Sequence, residues 1–539
     1  MDVFLYFNIR NMVSYDRCLR KTSGCAADIC FSGIYQRTNI LRSRMRSAKH
    51  EFVSLPCPKK NKRLRSRHLF FRHLSANKYP AKQTPIYMEG EYRGMERERL
   101  GSRLGFILLS AGCAIGCGNV WKFPWMVGTN GGGAFVLLYI LCLIVFGMPA
   151  MTMEFAMGRA AQASPVRMYH KLEKKGQKWH LHGYVALLGN VCLMAFYTVV
   201  TGWLIYYFVK FVTGDAADLG FAKMISNPQI NVGFLAVAVI VGFVILTFDL
   251  QGGLERVTKY MMCLLIILMV VLAIKSSTYE GALQGYKFYL VPDFSDITPR
   301  ILVAAMNQAF FTLSVGMGGM AIFGSYLGDD RSLLGESVHV IALDTFVAIV
   351  SGLIIFPSCY AYGLEVTAGP ALLFDTMATV FRNIPGGRVW GSLFFMFMVF
   401  AAFSTELTVC ENILACVREM TGWTRKKGCL VCGVVIFLIS LTTALGFSVL
   451  DFHPFTPSST WLDFWDFLVS NNILPLGAMT ISLFCTSRRF GWGFDNLMEE
   501  ANKGKGLKIR PWMKPIFGVV VPVCILAVYI IGMVTFEWR

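Results

Sequence analysis

The stretch GCAIGCGNVWKFP, from Gly112 to Pro124, interrupts an apolar segment that otherwise resembles a membrane-spanning helix. Its glycines loosen the backbone, Asn119 brings a polar amide, and Pro124 lacks a backbone N–H. In lipid, each freed carbonyl costs several kcal/mol unless it finds another partner. Irregular backbone is tolerated at that depth where it lines a cavity or holds an ion, so the stretch predicts half of a binding site.

Composition indicates a polytopic helical membrane protein. The chain has 539 residues, 55% of them hydrophobic, and a mean hydropathy of +0.52, which is too apolar for a soluble multidomain protein. Residues 1–87 hold 18 Lys and Arg against 4 Asp and Glu, and therefore supply +14 of the net charge of +18. The basic balance belongs to this N-terminal segment, and we expect no nucleic-acid partner.

The cysteines predict neither a disulfide framework nor a metal site. Most of the sixteen lie inside apolar runs, where a thiol is usually a small buried hydrophobe. Cys429 and Cys432 form a CxxC pair, but no second pair lies at zinc spacing.

Residues 1–95 show no sustained helical or strand period and carry a basic run from Lys59 to Leu74. They also lack the charged start and long apolar run of a secretory signal. Two interpretations remain: a disordered tail drawn to anionic lipid, or upstream sequence outside the working protein, with translation starting at Met88 or Met95. We favour the second, with 96–539 as the working domain.

Eleven apolar segments have the length that spans a bilayer. They lie near 104–126, 134–157, 183–211, 232–250, 256–274, 301–326, 337–361, 388–417, 429–448, 463–485 and 515–535. Lys and Arg crowd the connections 159–179, 418–428 and 486–514, so the positive-inside rule puts the N-terminus in the cytoplasm and the C-terminus outside. The long connections 275–300 and 362–387 are expected to form short helices.

The sixth span repeats the irregularity of the first. FFTLSVGMGG, from Phe310 to Gly319, has three glycines and two hydroxyls in mid-membrane. Interrupted helices five spans apart are typical of two inverted five-helix repeats, here about 100–275 and 300–485, with an additional helix at 515–535. Glycines that merely allow close helix packing are the alternative for each segment alone.

Broken helices suit a zwitterionic ligand. Half-helix N-termini present N–H groups to an anion, and unwound carbonyls offer oxygen to a hard cation. An amino acid is therefore a natural ligand. Asp344, an isolated carboxylate in the seventh span, marks a functional position because an ionisable group at that depth is costly. Glu154 is better explained as a structural hydrogen-bonding carboxylate.

Four motifs now point to one family. GCAIGCGNVWKFP followed by NGGGAF, then MEFAMGR, FFTLSVGMG and FAAFSTEL, occur in order within about 97–535. Together they resemble the neurotransmitter:sodium symporter family, in its bacterial amino-acid transporter branch with the leucine-transporter fold. The resemblance implies an all-α membrane protein with eleven transmembrane helices, a 5+5 inverted repeat, and discontinuous helices 1 and 6.

The same resemblance implies two sodium sites. Sodium site one would use Ala114, Asn119, Thr312, Asp344 and the substrate carboxylate. Sodium site two would use Gly112, Ile115, Ala401, Ser404 and Thr405. Oxygen-only ligation suits a hard cation. The family position of Asp344 is often Asn, and chloride-requiring members place a Ser where this chain has Ala348, although Tyr139, Gln308 and Thr312 otherwise match. We therefore expect chloride-independent transport and no organic cofactor.

Substrate and gate residues follow from the resemblance as well. The substrate contacts would be Ala114, Gly116, Gly118, Leu193, Tyr197, Phe311, Ser314, Met317, Thr405 and Val409. Monoamine carriers place an Asp where this chain has Gly116, so the substrate is expected to bring its own carboxylate. Lys122 and Asp466 would form the outer gate, although Lys lacks the bidentate fork of the usual Arg. Arg97 and Glu419 would form the inner pair, where Leu100 replaces the usual Trp.

Together these features predict a sodium-coupled symporter in the plasma membrane that imports a neutral, hydrophobic or aromatic amino acid by alternating access. The alternative is a membrane sensor that binds an amino acid without moving it. The sequence has no nucleophile–base pair, nucleotide loop or clustered His and Cys ligands, so we expect no enzyme.

Overall fold

Long apolar helices make up most of the residues that the structure describes, because hydrocarbon leaves no other partner for backbone N–H and C=O groups. The structure is a computed structural model that describes residues 100–534, except 218, 296, 365–371, 451–452 and 458. These described residues contain no β-strand beyond two isolated bridges, Gly132 with Pro292 and Arg331 with Lys505.

Eighteen helices are numbered here in chain order over the described residues. They are α1 (Arg103–Ala114), α2 (Gly118–Thr129), α3 (Gly133–Ala161), α4 (Pro165–Leu172), α5 (His180–Thr213), α6 (Phe221–Ile225), α7 (Pro228–Leu246), α8 (Leu250–Ser277), α9 (Ala282–Leu290), α10 (Pro299–Leu313), α11 (Gly319–Gly324), α12 (Leu333–Ala361), α13 (Leu372–Met377 continued by Ala378–Asn383), α14 (Gly387–Thr421), α15 (Arg425–Leu445), α16 (Trp461–Thr486), α17 (Phe494–Ala501) and α18 (Pro511–Val534).

Nine of these helices are individually long and apolar enough to cross a membrane, namely α3, α5, α7, α8, α12, α14, α15, α16 and α18. The pair α1 and α2 passes the same test as one span bent by 52°. The predicted sixth span is α10 and α11, which are 15 and 6 residues long and too short to cross alone. The expected count of eleven therefore holds only when this interrupted pair is counted as one span.

Helix ends differ from the predicted spans by a few residues. The fifth span begins at Leu250 instead of 256, and the ninth runs from Arg425 to Leu445 instead of 429–448. At Arg425 the reason is local: Thr424 caps the helix by accepting from the Lys427 N–H, so the basic residues belong to the first turn. A hydropathy window stops short of such charged helical turns.

The two long connections contain helices, as expected: α9 lies in 275–300 and α13 in 362–387. The two longest helices, α5 and α14, with 34 and 35 residues, pack along each other. The first half of the first interrupted pair, α1, packs on α14, and the second half of the second pair, α11, packs on α3. Both helix breaks are thereby enclosed by long spans.

Candidate binding site at the two helix breaks

The first break lies at residues 115–117, between α1 and α2. The Gly116 carbonyl accepts from Asn119 N at 3.1 Å and from Val120 N at 3.3 Å, which restarts the helix. A Cβ on Gly116 would collide with the Tyr197 and Thr405 hydroxyls. Only glycine fits, because side chains from α5 and α14 approach the backbone here.

The second break, Ser314–Gly318, separates α10 from α11. Ser314 has a φ of +51°, which is uncommon for a residue with a side chain. The buried Glu154 holds this break: it accepts from Gly316 N at 2.5 Å and Met320 N at 3.0 Å. This agrees with the structural role expected for Glu154. Ser314 Oγ donates to the Cys113 carbonyl at 3.2 Å, so the two breaks are in contact.

A buried polar cluster joins α2, α3, α10 and α12. Asn119 Nδ2 donates to Asp344 Oδ1 at 2.8 Å and to the Asp344 carbonyl at 3.1 Å. Thr312 donates to the same carboxylate at 3.3 Å, and Tyr139 at 3.5 Å. All four side chains are at most 1% exposed. In the described part of the chain, the hydrogen-bond partners of Asp344 are thus all uncharged, which leaves a buried carboxylate able to receive a cation.

The remaining residues of the chloride-site pattern sit beside this cluster. Gln308 Nε2 donates to the Gly118 carbonyl at 2.7 Å, while its buried Oε1 has no hydrogen-bond partner among the described residues. Ala348 is buried one turn after Asp344 and offers no hydroxyl. Asp344 is therefore the acidic side chain beside Gln308 and Ala348 in the described part of the chain.

A second oxygen cluster lies between α1 and α14. Ser404 Oγ donates to the Ile115 carbonyl at 3.3 Å and to the Ala401 carbonyl at 3.0 Å. Thr405 Oγ1 donates to the Gly112 carbonyl at 3.1 Å and the Ile115 carbonyl at 3.3 Å. The structure thus brings together all five residues that were predicted for sodium site two.

A small cavity of about 10 Å³ lies where the breaks meet. Its lining consists of Cys113, Ala114, Gly116, Gly118, Leu193, Tyr197, Phe311, Ser314, Met317, Thr405 and Leu474. Tyr197 Oη also accepts from Cys117 N at 2.9 Å. Of the predicted substrate contacts, the structure leaves out Val409, because the cavity ends at Thr405, one turn earlier on α14.

Two lining residues were missed by the sequence analysis. Cys113 belongs to the quoted motif, but a cysteine in an apolar run usually indicates only a small buried hydrophobe. Leu474 comes from α16, and nothing separates it in sequence from the other aliphatic residues of that span.

A larger cavity of about 610 Å³ lies beyond the predicted outer gate, and both gate residues line it. Lys122 Nζ is 2.8 Å from Asp466 Oδ1, 2.9 Å from Oδ2 and 3.1 Å from Ser470 Oγ. The same ammonium lies 4.1 Å from the ring centroid of Phe311, which lines the small cavity. The ion pair and Phe311 therefore separate the two cavities.

The predicted inner pair is only half described. Arg97 lies outside the described residues. Glu419 accepts from Ser164 N at 3.0 Å and Ser164 Oγ at 2.7 Å, which ties α14 to the start of α4.

Comparisons with known proteins identify the family that this chain resembles. The family model described as "Sodium:neurotransmitter symporter family" matches residues 97–218 and 219–538. An "Uncharacterized sodium-dependent transporter YhdH" from Bacillus subtilis (strain 168) is 36% identical over 391 residues, covering 71% of this chain and 86% of the relative. An "Uncharacterized sodium-dependent transporter" from Haemophilus influenzae is 32% identical over 455 residues, covering 81% and 98%.

Among solved structures, the chain is similar to MhsT in complex with L-phenylalanine. The TM-score is 0.74 at 34% sequence identity, and the match covers 81% of this chain and 99% of MhsT. The relatives are named transporters and not enzymes. The chain therefore belongs to the sodium:neurotransmitter symporter family, as a multi-pass, sodium-dependent membrane transporter with the fold predicted from its two interrupted helices.

Proposed function

We propose that this chain couples sodium entry to the uptake of a neutral amino acid with an apolar or aromatic side chain. One observation carries the proposal: both helix breaks line a single small cavity, and a buried oxygen cluster flanks it on each side. Free backbone groups at the breaks can bind both ends of a zwitterion. In this proposal the domain that transports is 96–539, with inverted repeats at about 100–275 and 300–485.

Two sodium ions are proposed. Site one consists of the Ala114 carbonyl, Asn119, Thr312, Asp344 and the substrate carboxylate. Site two consists of the Gly112, Ile115 and Ala401 carbonyls with the Ser404 and Thr405 hydroxyls. Every protein ligand is an oxygen, which suits a hard cation, and hydrogen-bond distances already hold most of them together. Because the substrate carboxylate completes site one, each ligand strengthens binding of the other.

The substrate carboxylate would meet Tyr197 and the backbone at Gly116 and Gly118. Its side chain would lie among Leu193, Phe311, Ser314 and Met317. A cavity of about 10 Å³ holds roughly one water molecule, so these apolar side chains must move to admit an amino acid. The flexible thioether of Met317 suits that role. The aromatic ligand of MhsT supports a large apolar side chain here.

The free energy of sodium entry is sufficient to concentrate a neutral amino acid. A tenfold sodium gradient supplies about 1.4 kcal/mol and a potential of 100 mV about 2.3 kcal/mol, so each ion supplies about 3.7 kcal/mol. One ion then supports a concentration ratio of several hundredfold for a neutral amino acid, and two ions support its square. The proposed orientation has the N-terminus in the cytoplasm and the C-terminus outside.

The buried carboxylate of Asp344 predicts chloride-independent transport, because it supplies a fixed negative charge beside site one. Replacing chloride by gluconate in an uptake assay should leave the initial rate unchanged within experimental error. Sodium replaced by choline is the matched control and should abolish uptake. A large loss of uptake in gluconate would contradict the assignment of Asp344.

If the Lys122–Asp466 ion pair is the outer gate, removing either partner should affect substrate release in the same way as removing both. Lys122→Ala and Asp466→Ala should each speed dissociation of bound substrate, since either change opens the barrier between the cavities. The double variant should release substrate no faster than either single variant, because both remove one interaction. Lys503→Ala, which removes an ion pair that lines neither cavity, is the control. Additive effects of the two changes would argue against a gate.

The substrate is tested by competition. The purified full chain in proteoliposomes would be offered labelled L-phenylalanine with an inward sodium gradient, against an excess of each of the twenty amino acids in turn. We expect neutral apolar and aromatic amino acids to compete, and Asp, Glu, Lys and Arg to compete poorly. Binding without any accumulation would favour a sensor over a transporter.

A further inference from the structure

We propose that His170, Glu173 and His180 bind a divalent transition-metal ion of the Zn²⁺ type on the connection between α3 and α5. The site lies apart from both oxygen clusters and both cavities. Its ligands come from the last turn of α4, the capping residue that directly follows α4, and the first residue of α5.

The distances between the ligand atoms fit one ion. His180 Nδ1 lies 2.7 Å from Glu173 Oε1, and His170 Nδ1 lies 3.5 Å from the same oxygen. All three ligand atoms lie within 4.8 Å of one another. Ligands about 2.0–2.1 Å from a tetrahedral ion are separated by roughly 3.4 Å, so small side-chain rotations suffice.

The donor set selects the class of metal. Two imidazoles and one carboxylate bind zinc with an open fourth position. Imidazole nitrogen favours Zn²⁺, Cu²⁺, Ni²⁺ or Co²⁺ over Mg²⁺ and Ca²⁺, which take oxygen ligands. This chemistry differs from that of the sodium clusters, which offer oxygen alone.

The backbone around the ligands is held in place by the protein itself. The two imidazole rings stack with centroids 4.2 Å apart and an interplanar angle of 12°, so one ring must rotate out of the stack before both nitrogens face one ion. Glu173 Oε2 accepts from His180 N at 3.1 Å. The intervening turn is anchored elsewhere, because Lys174 Nζ donates to the Arg488 carbonyl and Trp179 Nε1 to the Phe490 carbonyl. The anchored turn keeps the three side chains near one another, so only the rotation of the rings has to be fixed when an ion binds.

The site is reachable from solvent, yet its carboxylate is shielded. The side chains of His170, His180 and Glu173 are 48%, 25% and 10% exposed. The neighbouring Lys171 and Lys174 donate from their ammonium groups to the carbonyls of Ala161 and Arg488. The competing explanation is that the Glu173–His180 pair only fastens the turn.

Metal binding separates these explanations. Purified full-length protein carrying Cys263→Ser, which removes an exposed thiol, would be titrated with Co²⁺ and followed by visible absorption, then with Zn²⁺ by competition. His170→Ala, His180→Gln and Glu173→Gln should each weaken binding at one site by more than the roughly 10- to 100-fold expected for loss of a second-shell partner. His339→Ala, whose imidazole faces the Gly335 carbonyl, should bind as the parent does.

Thermal unfolding measurements distinguish a loss of metal binding from a folding defect in a variant. Zn²⁺ should raise the Tm of the parent and of His339→Ala, and should raise it less in the three site variants, each compared with its own metal-free Tm. Equal Co²⁺ spectra, stoichiometry and Tm shifts in all variants would overturn the proposal and leave a fastened turn as the explanation.

A functional consequence rests on the proposed transport activity. The connection also carries Ser164, which holds Glu419 of α14, and Pro165, which packs against Gly318 of the second break. A metal bridging α4 to α5 should therefore slow uptake in the parent but not in His180→Gln. Uptake absent even with a chelator would contradict the transport proposal, whereas uptake that Zn²⁺ does not slow would contradict only this bracing role.

Discussion

Asn119→Leu should abolish sodium-dependent substrate binding while the protein still inserts into the membrane. Leucine has a similar volume, but it removes the amide that donates to Asp344 at 2.8 Å and the oxygen proposed for sodium site one. The buried carboxylate would then lose its shortest hydrogen bond, at a cost of about 1–3 kcal/mol or more. Equilibrium binding of labelled substrate, with sodium or choline, measures the effect.

A matched control removes a side-chain amide at an exposed position outside the proposed site. Asn496→Leu lies on α17, where the exposed side chain donates to the carbonyl of Trp492, two residues before the helix begins. This variant should bind substrate with unchanged sodium dependence. If Asn119→Leu retained sodium-dependent binding while Asn496→Leu behaved as the parent, the assignment of site one would be wrong.

Gly116→Ala should also reduce sodium-driven uptake strongly, because it disturbs both the proposed substrate site and sodium site two. The added methyl group would overlap the hydroxyls of Tyr197 and Thr405, and one of them must move. Tyr197 accepts from Cys117 N in the first break, and Thr405 contacts the Gly112 carbonyl of site two. Overpacking costs about 1–3 kcal/mol, so sodium-driven uptake should fall by about 5- to 150-fold.

Gly233→Ala provides the steric control for this change. Gly233 lies in α7, and a methyl group there would meet no atom within 4 Å. The control should transport as well as the parent, and should even gain some helix stability. Unchanged uptake in Gly116→Ala would show that the first break tolerates displacement, contrary to the proposed site.

Much of the fold was predictable, because the length and hydropathy of a segment identify a membrane-spanning helix. The interrupted helices were also predictable, since glycines and polar side chains in mid-span have few other uses. Asp344 was identified for the same reason, and the structure surrounds it with Asn119, Thr312 and Tyr139. The roles of these residues toward sodium remain predictions.

Other features depend on three-dimensional packing that a sequence does not display. Leu474 lines the cavity only because α16 packs beside the second break, and Val409 is excluded only because the cavity is small. No cluster of His ligands is evident in the sequence, because His170 and His180 are ten positions apart. A turn that stacks their rings brings them together. Each of these misses concerns a contact between segments that are separate in sequence.

The central claim is that the two helix breaks form a sodium-coupled amino-acid site. Its most direct measurement is accumulation of a labelled mixture of neutral amino acids by proteoliposomes containing the full chain, with sodium outside only or equal on both sides. The account predicts transient accumulation above the external concentration under the sodium gradient, and simple equilibration when sodium is equal. Equal levels of label under both conditions would contradict it.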